Sequence, residues 1–381
     1  MMSRKVRVLL LVRWPVGGIR TFIRYVYRNF DPEIYAFCVV GPDHAEMDVL
    51  EKDLSGLPFE FKRLSPNPSA VEILFVTAKL LFKGGFDLIH SQGFTSALCA
   101  ALPAAVTRTP HLLTSHDVFT PKQFQGLKGK CRRSIMAVVF KLLDVIHCVS
   151  NDALENLLDT FPFLKSKSSK CVVIANGIEA SRFKMLQESG LRQELGVGSD
   201  VFLIGFLGRF MAQKGFVYLV EAIERLLSDK DLTSIPMVVS FGGGGFVREE
   251  KDALTRKGLQ EHFRFLPFVP NVAETINALD VVVMPSLWEA CPLLPMETLA
   301  VGTPLIATDC VGLREVVKGT PTYVVPVKDS AMIAKGIKHF MISDNRESFV
   351  KFRERALARF DVKHQFEAIE ALYAKVLNGD V

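Results

Sequence analysis

Short apolar runs rich in β-branched and aromatic residues alternate with longer stretches of helical rhythm along nearly the whole chain. A first series lies at 6–12, 35–40, 87–90, 111–115, 145–150 and 171–175. A second lies at 201–207, 237–241, 263–266, 281–284, 304–307 and 323–325. Runs apolar on both faces and separated by helical stretches predict parallel strands in βαβ units. Two series predict an α/β chain of two Rossmann-like, doubly wound parallel-sheet domains. The turn signals Asn176-Gly177 and Gly196-Val197-Gly198-Ser199-Asp200 bracket the break between them. Near the end, Phe366, Ile369, Leu372, Tyr373 and Val376 repeat at helical spacing with no strand after them. The expected division is 1–185, 186–355 and a terminal helical segment 356–381.

Composition agrees with two packed cores. The chain has 381 residues, too many for one ordinary core, and its 49% hydrophobic content against 23% charged is globular rather than disordered. No apolar run reaches the roughly 18–20 residues of a membrane-spanning helix. The start, Met1 to Lys5 followed by Val6 to Val12, has the outline of a signal peptide. Arg7 and Arg13 interrupt it and no small-residue cleavage site follows, so a first buried strand leading to Gly17-Gly18 is the better reading. Seven scattered cysteines without Cys-x-x-Cys, and eight histidines without metal-ligand spacing, predict buried free thiols and no zinc site. A cytoplasmic setting follows.

Charge is uneven. Up to Gly190 there are 24 Lys and Arg against 17 Asp and Glu; beyond it, 22 against 24. Lys122, Lys128, Lys130, Arg132 and Arg133 fall within twelve acid-free residues, and the apolar run 135–140 follows. This pattern can dock a peripheral protein on an anionic membrane at its inner face, although a solvated face before a core helix is the plainer reading. Phe124 is the one aromatic residue within the stripe, too few for a stacking platform, which argues against nucleic acid.

In open α/β sheets ligands sit beyond the carboxyl ends of strands, so candidate chemistry is sought there. Gly17-Gly18 follows the first strand and precedes a helix. It suits a phosphate approached by backbone, or simply a tight turn. Gly208-Arg209 and Lys214-Gly215 follow the strand 201–207. A guanidinium fork and an ammonium at a strand end and helix start suit a diphosphate. Gly242 to Gly245 match neither the dinucleotide fingerprint nor a P-loop. The segment Pro285 to Ala300 follows the strand 281–284 and sets Glu289 in a loop and Glu297 early in the next helix. Two carboxylates so placed can accept hydrogen bonds from sugar and ribose hydroxyls, with the amides of Cys291, Leu293 and Leu294 between them.

Together, Gly208-Arg209, Lys214-Gly215, Pro285-Ser286, Glu289, Glu297 and Gly302-Thr303-Pro304 resemble the retaining family 4 glycosyltransferases (glycosyl transferases group 1). Ser115-His116-Asp117, Val149-Ser150, Ile174 to Ile178 with Phe183, and Gly312 to Glu315 match in the expected order, and the similarity spans about residues 6–375. The resemblance implies a GT-B fold: an acceptor-side domain and a donor domain facing a central cleft, with the terminal helix packing back on the first. It implies that Arg209 and Lys214 bind the donor diphosphate and stabilise its departure, that Glu289 contacts the donor sugar, and that Glu297 holds the ribose. His116 would reach the sugar, and Gly17, Gly18 and Gly208 would lie by the phosphates. Gln92 stands near His90 where the family often has a second histidine, and Val311 stands where a glycine pair is usual.

The expected co-substrate is a UDP- or GDP-sugar, transferred with retention and without a metal to a lipid-linked or saccharide acceptor in envelope polysaccharide or glycolipid synthesis. The only Asp-x-Asp, Asp229-Lys230-Asp231, lies between a helix and a strand rather than after a strand. A non-catalytic transferase-like subunit is the alternative; an NAD oxidoreductase lacks its glycine fingerprint.

Overall fold

The computed structural model describes residues 4–380, apart from 188, 244–245, 268–271 and 344–345. It divides into two units: Met1–Gly177 with Val362–Val381, and Ile178–Asp361. Each is an all-parallel sheet with helices on both faces.

Unit 1 holds β1 (Val6–Val12), β2 (Tyr35–Pro42), β3 (Phe59–Leu64), β4 (Leu88–Gln92), β5 (His111–Ser115), β6 (Val145–Cys148) and β7 (Cys171–Val173). They pair in the order β3-β2-β1-β4-β5-β6-β7. Its helices are α1 (Gly18–Tyr27), α2 (Ala45–Asp53), α3 (Ala70–Phe82), α4 (Phe94–Thr107), α5 (Gly126–Leu142) and α6 (Asn151–Thr160), and the terminal helix, numbered α15 below, also belongs to it. Parallel crossovers are right-handed, so the direction of travel across the sheet assigns each helix to a face. The connections β1→β2→β3 run one way and put α1 and α2 on one face. Those from β3 to β7 run the other way and put α3, α4, α5 and α6 on the opposite face. The core lies between sheet and helices: Leu9, Leu11, Val40 and Ile89 meet Ile73, Leu81 and Ala100, while Leu113 and Ile146 meet Met136, Phe140, Leu157 and Phe161.

Strand β3 has no counterpart among the twelve expected runs. Its sequence alternates, with Phe59 and Phe61 half-buried and Glu60 and Lys62 exposed, as suits an edge strand covered on one face. Phe59 stacks on Phe37 of β2 at 5.0 Å between ring centroids.

Unit 2 holds α7 (Leu191–Leu195), β8 (Val201–Leu207), α8 (Phe216–Leu227), β9 (Ile235–Phe241), α9 (Val247–Lys257), β10 (Phe263–Leu266) and α10 (Val272–Asn277). It continues through β11 (Val281–Met284), α11 (Leu294–Val301), β12 (Leu305–Thr308), α12 (Leu313–Val317), β13 (Tyr323–Val325), α13 (Ser330–Ile342) and α14 (Arg346–Arg359). The strand order is β10-β9-β8-β11-β12-β13, and α15 (Val362–Asn378) returns to unit 1.

The chain passes between units at 177/178 and 361/362 rather than at 185/186 and 355/356. The segment after Gly177 is tied into unit 2: Ile178 donates its amide to the Phe360 carbonyl at 2.8 Å. The Arg353 guanidinium donates to the carbonyls of Phe183 and Lys184, each at 2.6 Å. Helix α14 runs unbroken past residue 355, so a cut there would divide one helix.

Candidate functional site

In each sheet the order reverses once: between β1 and β4 in unit 1, and between β8 and β11 in unit 2. A crevice opens beyond the carboxyl ends of the strands at such a switch point. In unit 2, Gly208, Arg209 and Lys214 leave β8 and Glu289 leaves β11, so the four flank that crevice.

The loops there are fastened to one another through backbone. Gly208 donates its amide to Phe241 at the end of β9 at 3.0 Å, Leu287 to the Gln213 carbonyl at 2.8 Å, and Glu289 to the Val311 carbonyl at 3.0 Å. The Gln213 side-chain amide donates to the Trp288 carbonyl at 2.7 Å, and the Thr308 hydroxyl to the Ser286 carbonyl at 2.6 Å. Two glycines make this closeness possible. Gly215 has φ +67, and a Cβ there would meet the Pro285 oxygen at 2.0 Å; Gly312 has φ +76, and a Cβ would meet the Glu289 oxygen at 2.2 Å. Only glycine combines such a backbone with such an approach.

The clamp holds Glu289 nearly buried, at 6% exposure. Its Oε1 accepts from Lys214 Nζ at 2.7 Å and from the Ser286 hydroxyl at 2.7 Å. No described residue donates to Oε2, which is left to accept from a ligand hydroxyl. Lys214 has three N–H donors and gives one to Glu289. Arg209 is exposed and forms no hydrogen bond or ion pair with a described residue, so its fork stays available to an anion. Below the loop, burial pushes the Cys310 thiol up to about 11, against a lowering hydrogen bond with Thr308; it is a neutral packing group. Cys291 is buried, Leu293 and Leu294 are half-buried, and Glu297 is half-buried in the first turn of α11, where a helix N-terminus favours negative charge. Gly244 and Gly245 lie outside the described residues. Asp229 pairs with Lys338 of α13.

Unit 1 carries the other candidates at its own strand ends. Gly17 caps α1 with φ +57, and Gly18 begins it with open space where a Cβ would stand, leaving the helix start open to an anion. His116 follows β5 and packs edge-on against Phe22 at 5.0 Å.

Behind His116 runs a hydrogen-bond chain that the spacing of the histidines did not reveal. His116 Nε2 meets Gln92 Oε1 at 2.8 Å, and Gln92 Nε2 donates to the Tyr27 hydroxyl at 3.4 Å. Tyr27 and Tyr373 of α15 reach His90 Nδ1 at 2.6 and 2.7 Å. His90 Nε2 meets Thr114 Oγ1 at 2.6 Å, Thr114 meets His147 Nδ1 at 2.9 Å, and His147 Nε2 meets the Ile174 carbonyl at 2.8 Å. A carbonyl only accepts, so His147 donates through Nε2 and accepts at Nδ1 from Thr114. Thr114 then accepts from His90 Nε2, and His90 Nδ1 accepts from a tyrosine. The same direction carried through Gln92 makes His116 an Nε2 donor with Nδ1 as its acceptor nitrogen. The sequence held one available signal: His90, His111 and His147 stand inside three neighbouring apolar strands, where a polar group must find a partner.

Burial holds these rings neutral. It pushes His111 and His116 down to about 3 and His147 to about 4, and His90 well below its usual value. The neighbouring His147 adds to the depression of His90 and His116. A histidine neutral in the fold and free to protonate when unfolded stabilises the fold fully above about pH 6.5, and that stability is lost as pH falls toward the folded values. Each fully buried ring steepens the loss by up to about 1.4 kcal/mol per pH unit. Thermal melts of unit 1 fluorescence or circular dichroism should therefore be flat from pH 8 to 7 and fall steeply from 6 to 4. His147→Gln should flatten the fall, and an unchanged slope would refute this origin.

Residues 16–182 match the sequence model described as Glycosyltransferase Family 4, and residues 187–359 match that of Glycosyl transferases group 1. The D-inositol 3-phosphate glycosyltransferase of Geodermatophilus obscurus is 26% identical over 386 residues, 94% of this chain and 84% of that protein. The UDP-Gal:alpha-D-GlcNAc-diphosphoundecaprenol alpha-1,3-galactosyltransferase of Escherichia coli is 25% identical over 251 residues, 63% of this chain and 62% of that one. Anabaena HepE, crystallised with UDP and glucose, superimposes with a TM-score of 0.81 at 20% identity, covering 97% of this chain and 100% of that one.

Proposed function

Since the chain belongs to the family 4 glycosyltransferases, with the GT-B fold and nucleotide-sugar-dependent glycosyl transfer as its activity, we propose that unit 2 holds the donor at its β8/β11 crevice and drives transfer with retention. The observation that carries this is the Lys214–Glu289–Ser286 cluster, with Arg209 following the same strand as Lys214 and forming no hydrogen bond or ion pair with a described residue. In this reading Arg209 and the two remaining Lys214 donors bind the diphosphate, with the Gly208 loop beside it. Glu289 Oε2 accepts a donor-sugar hydroxyl, Glu297 accepts from the ribose, and the amides of Cys291, Leu293 and Leu294 line the loop. Taken by itself, unit 1 offers the Gly17-Gly18 helix start to an anion and His116 Nδ1 as an acceptor for a hydroxyl.

The anomeric carbon–oxygen bond breaks, and its electron pair moves onto the leaving diphosphate. Positive groups already in place lower that barrier without reorganising. The acceptor oxygen forms the new bond on the same face, and its proton passes to a phosphate oxygen. The chemistry asks for no metal, because the charge that develops is met by Arg209 and Lys214.

The proposed co-substrate is a UDP- or GDP-sugar; the Anabaena neighbour holds UDP and glucose, and the Escherichia coli relative is named for UDP-Gal. The two relatives act on unlike acceptors, an inositol phosphate and a lipid diphosphate sugar. A lipid-linked acceptor is proposed here, for the surface described next. Thermal-shift screening against UDP-, GDP- and ADP-sugars should single out one base, since a ligand at 100 times its Kd adds about 2.7 kcal/mol. The selected donor should be slowly hydrolysed in the presence of EDTA. Loss of turnover in EDTA with rescue by Mn²⁺ would remove the metal-free mechanism. Binding without transfer or hydrolysis would favour a non-catalytic subunit.

A further inference from the structure

The helices on the two faces of the unit 1 sheet differ in how much apolar surface they expose. On the face of α1 and α2, α2 carries Glu46, Asp48, Glu51 and Asp53, and of the large apolar side chains on these two helices only Val49 is exposed. The α3–α4–α5 face exposes more.

Helix α3 buries Ile73, Thr77 and Leu81 and turns Val71, Phe75, Lys79, Phe82 and Lys83 outward at helical spacing; Phe75 is 66% and Phe82 67% exposed. Helix α4 packs beside it and exposes Leu102 and Val106, ending at Arg108. Helix α5 packs on α4 and buries Gly129, Met136, Val139 and Phe140. Its outer stripe is Leu127, Cys131, Ile135, Val138 and Leu142, at offsets of 4, 8, 11 and 15 residues, with Leu127 86% exposed. Lys128 and Arg132 flank that stripe on one side, Lys130 and Lys141 on the other. The apolar run 135–140 therefore divides: Met136, Val139 and Phe140 enter the core, while Ile135 and Val138 face out.

Between Ala70 and Leu142 there are nine Lys and Arg and three acids. Glu72 is hydrogen-bonded to Ser65. Asp87 is paired with Arg4 and the Arg7 amide, and Asp117 sits beyond the carboxyl end of β5. The next helix on this face, α6, carries Asp152, Glu155 and Asp159 and bounds the patch.

We propose that the outer layer of α3, α4 and α5 is a docking surface for an anionic lipid bilayer, seating Phe75, Phe82, Leu102, Val106, Ile135 and Val138 among the acyl chains while the flanking cations meet headgroup phosphates. Charge selects this occupant. Protein–protein interface cores are depleted of lysine, whereas helices lying in a membrane interface carry lysine and arginine around an apolar face. Here Lys79, Lys83, Lys128, Lys130 and Lys141 are interleaved with the exposed apolar side chains. Each cation near an anionic surface contributes about fivefold in partition, and the pull falls off within a Debye length. The surface does not depend on the donor chemistry proposed above.

The test is flotation of the full chain with vesicles of phosphatidylcholine alone or with 30% phosphatidylglycerol. Binding is expected only to the anionic vesicles and should weaken at least tenfold between 0.05 and 0.5 M NaCl, since exposed charges are screened by salt. Lys128→Glu with Lys130→Glu should lower partition by tenfold or more, and so should Phe75→Asn with Phe82→Asn. Both variants should keep the parent's melting temperature and its shift with nucleotide sugar, which shows them folded and separates this surface from the donor site. No binding to anionic vesicles would overturn the proposal. So would concentration-dependent dimerisation, abolished by the phenylalanine variant, in a chain that ignores vesicles; the layer would then bind a second copy of itself.

Discussion

Lys214→Ala is expected to lower kcat by about 10²–10³, the usual cost of removing one group that stabilises charge developing in a transition state. The contact at 2.7 Å between Lys214 Nζ and Glu289 Oε1 adds a second effect. Without the ammonium, a nearly buried carboxylate keeps, among the described residues, only Ser286 as donor, and breaking such a pair from one side destabilises because the remaining charge is uncompensated. The melting temperature should therefore fall as well. The double variant Lys214→Met with Glu289→Gln removes both charges and should recover most of that loss without recovering kcat. Glu289→Gln alone should reduce kcat more than donor affinity. Glu297→Ala should chiefly weaken nucleotide binding, by about tenfold or more for one lost hydrogen bond to a charged group. Steady-state kinetics with melts on the same samples separate the two effects. A Lys214→Ala enzyme within threefold of the parent in kcat would refute the role given to this lysine.

Gly312→Ala should be among the most damaging methyl additions in unit 2. Its φ of +76 already disfavours alanine, and the new Cβ would lie 2.2 Å from the Glu289 oxygen and 2.5 Å from the Ala290 oxygen. Neither is the end of a flexible side chain, so the 285–292 loop must move away from the start of α12. Strain and overpacking together amount to about 2–4 kcal/mol, roughly 5–15 °C in melting temperature for a unit of this size. Displacing the loop also moves Glu289 away from Lys214, so activity should fall with stability. Gly258→Ala is the control: φ is +69, but nothing lies within 4 Å of the added carbon, and the cost should be near 1 kcal/mol. Equal losses in the two variants would mean that backbone conformation alone, and not the approach of the two loops, sets the cost.

How much of the site was legible in the chain can be seen residue by residue. Glycine and charge immediately after a buried strand marked Gly208, Arg209, Lys214 and Glu289, because a doubly wound sheet delivers its strand ends to one edge. Ser286 was in view as part of the segment, yet its bond to Oε1 was not, since that depends on how the loop folds back over three residues. Gln213 and Thr308 gave no signal at all. Their function is to donate to carbonyls of a loop 75 and 22 residues away, a relation that local pattern does not encode. The chain from His116 to Ile174 draws on β4, β5, β6, α1 and α15, and its Tyr373 comes from the far end of the sequence.

Hydrophobic periodicity was enough to establish twelve of the thirteen strands among the described residues and the two-sheet architecture, because fully buried parallel strands must be apolar on both faces. It passed over β3, whose one covered face leaves polar side chains at every second position. Folding in three dimensions settled the rest: that Lys214 reaches Glu289, that the rings of unit 1 form one directed chain, and that Phe75, Phe82, Ile135 and Val138 face outward. These outcomes depend on which surfaces meet. A run of apolar residues looks the same in sequence whether its side chains find a partner or are left facing solvent.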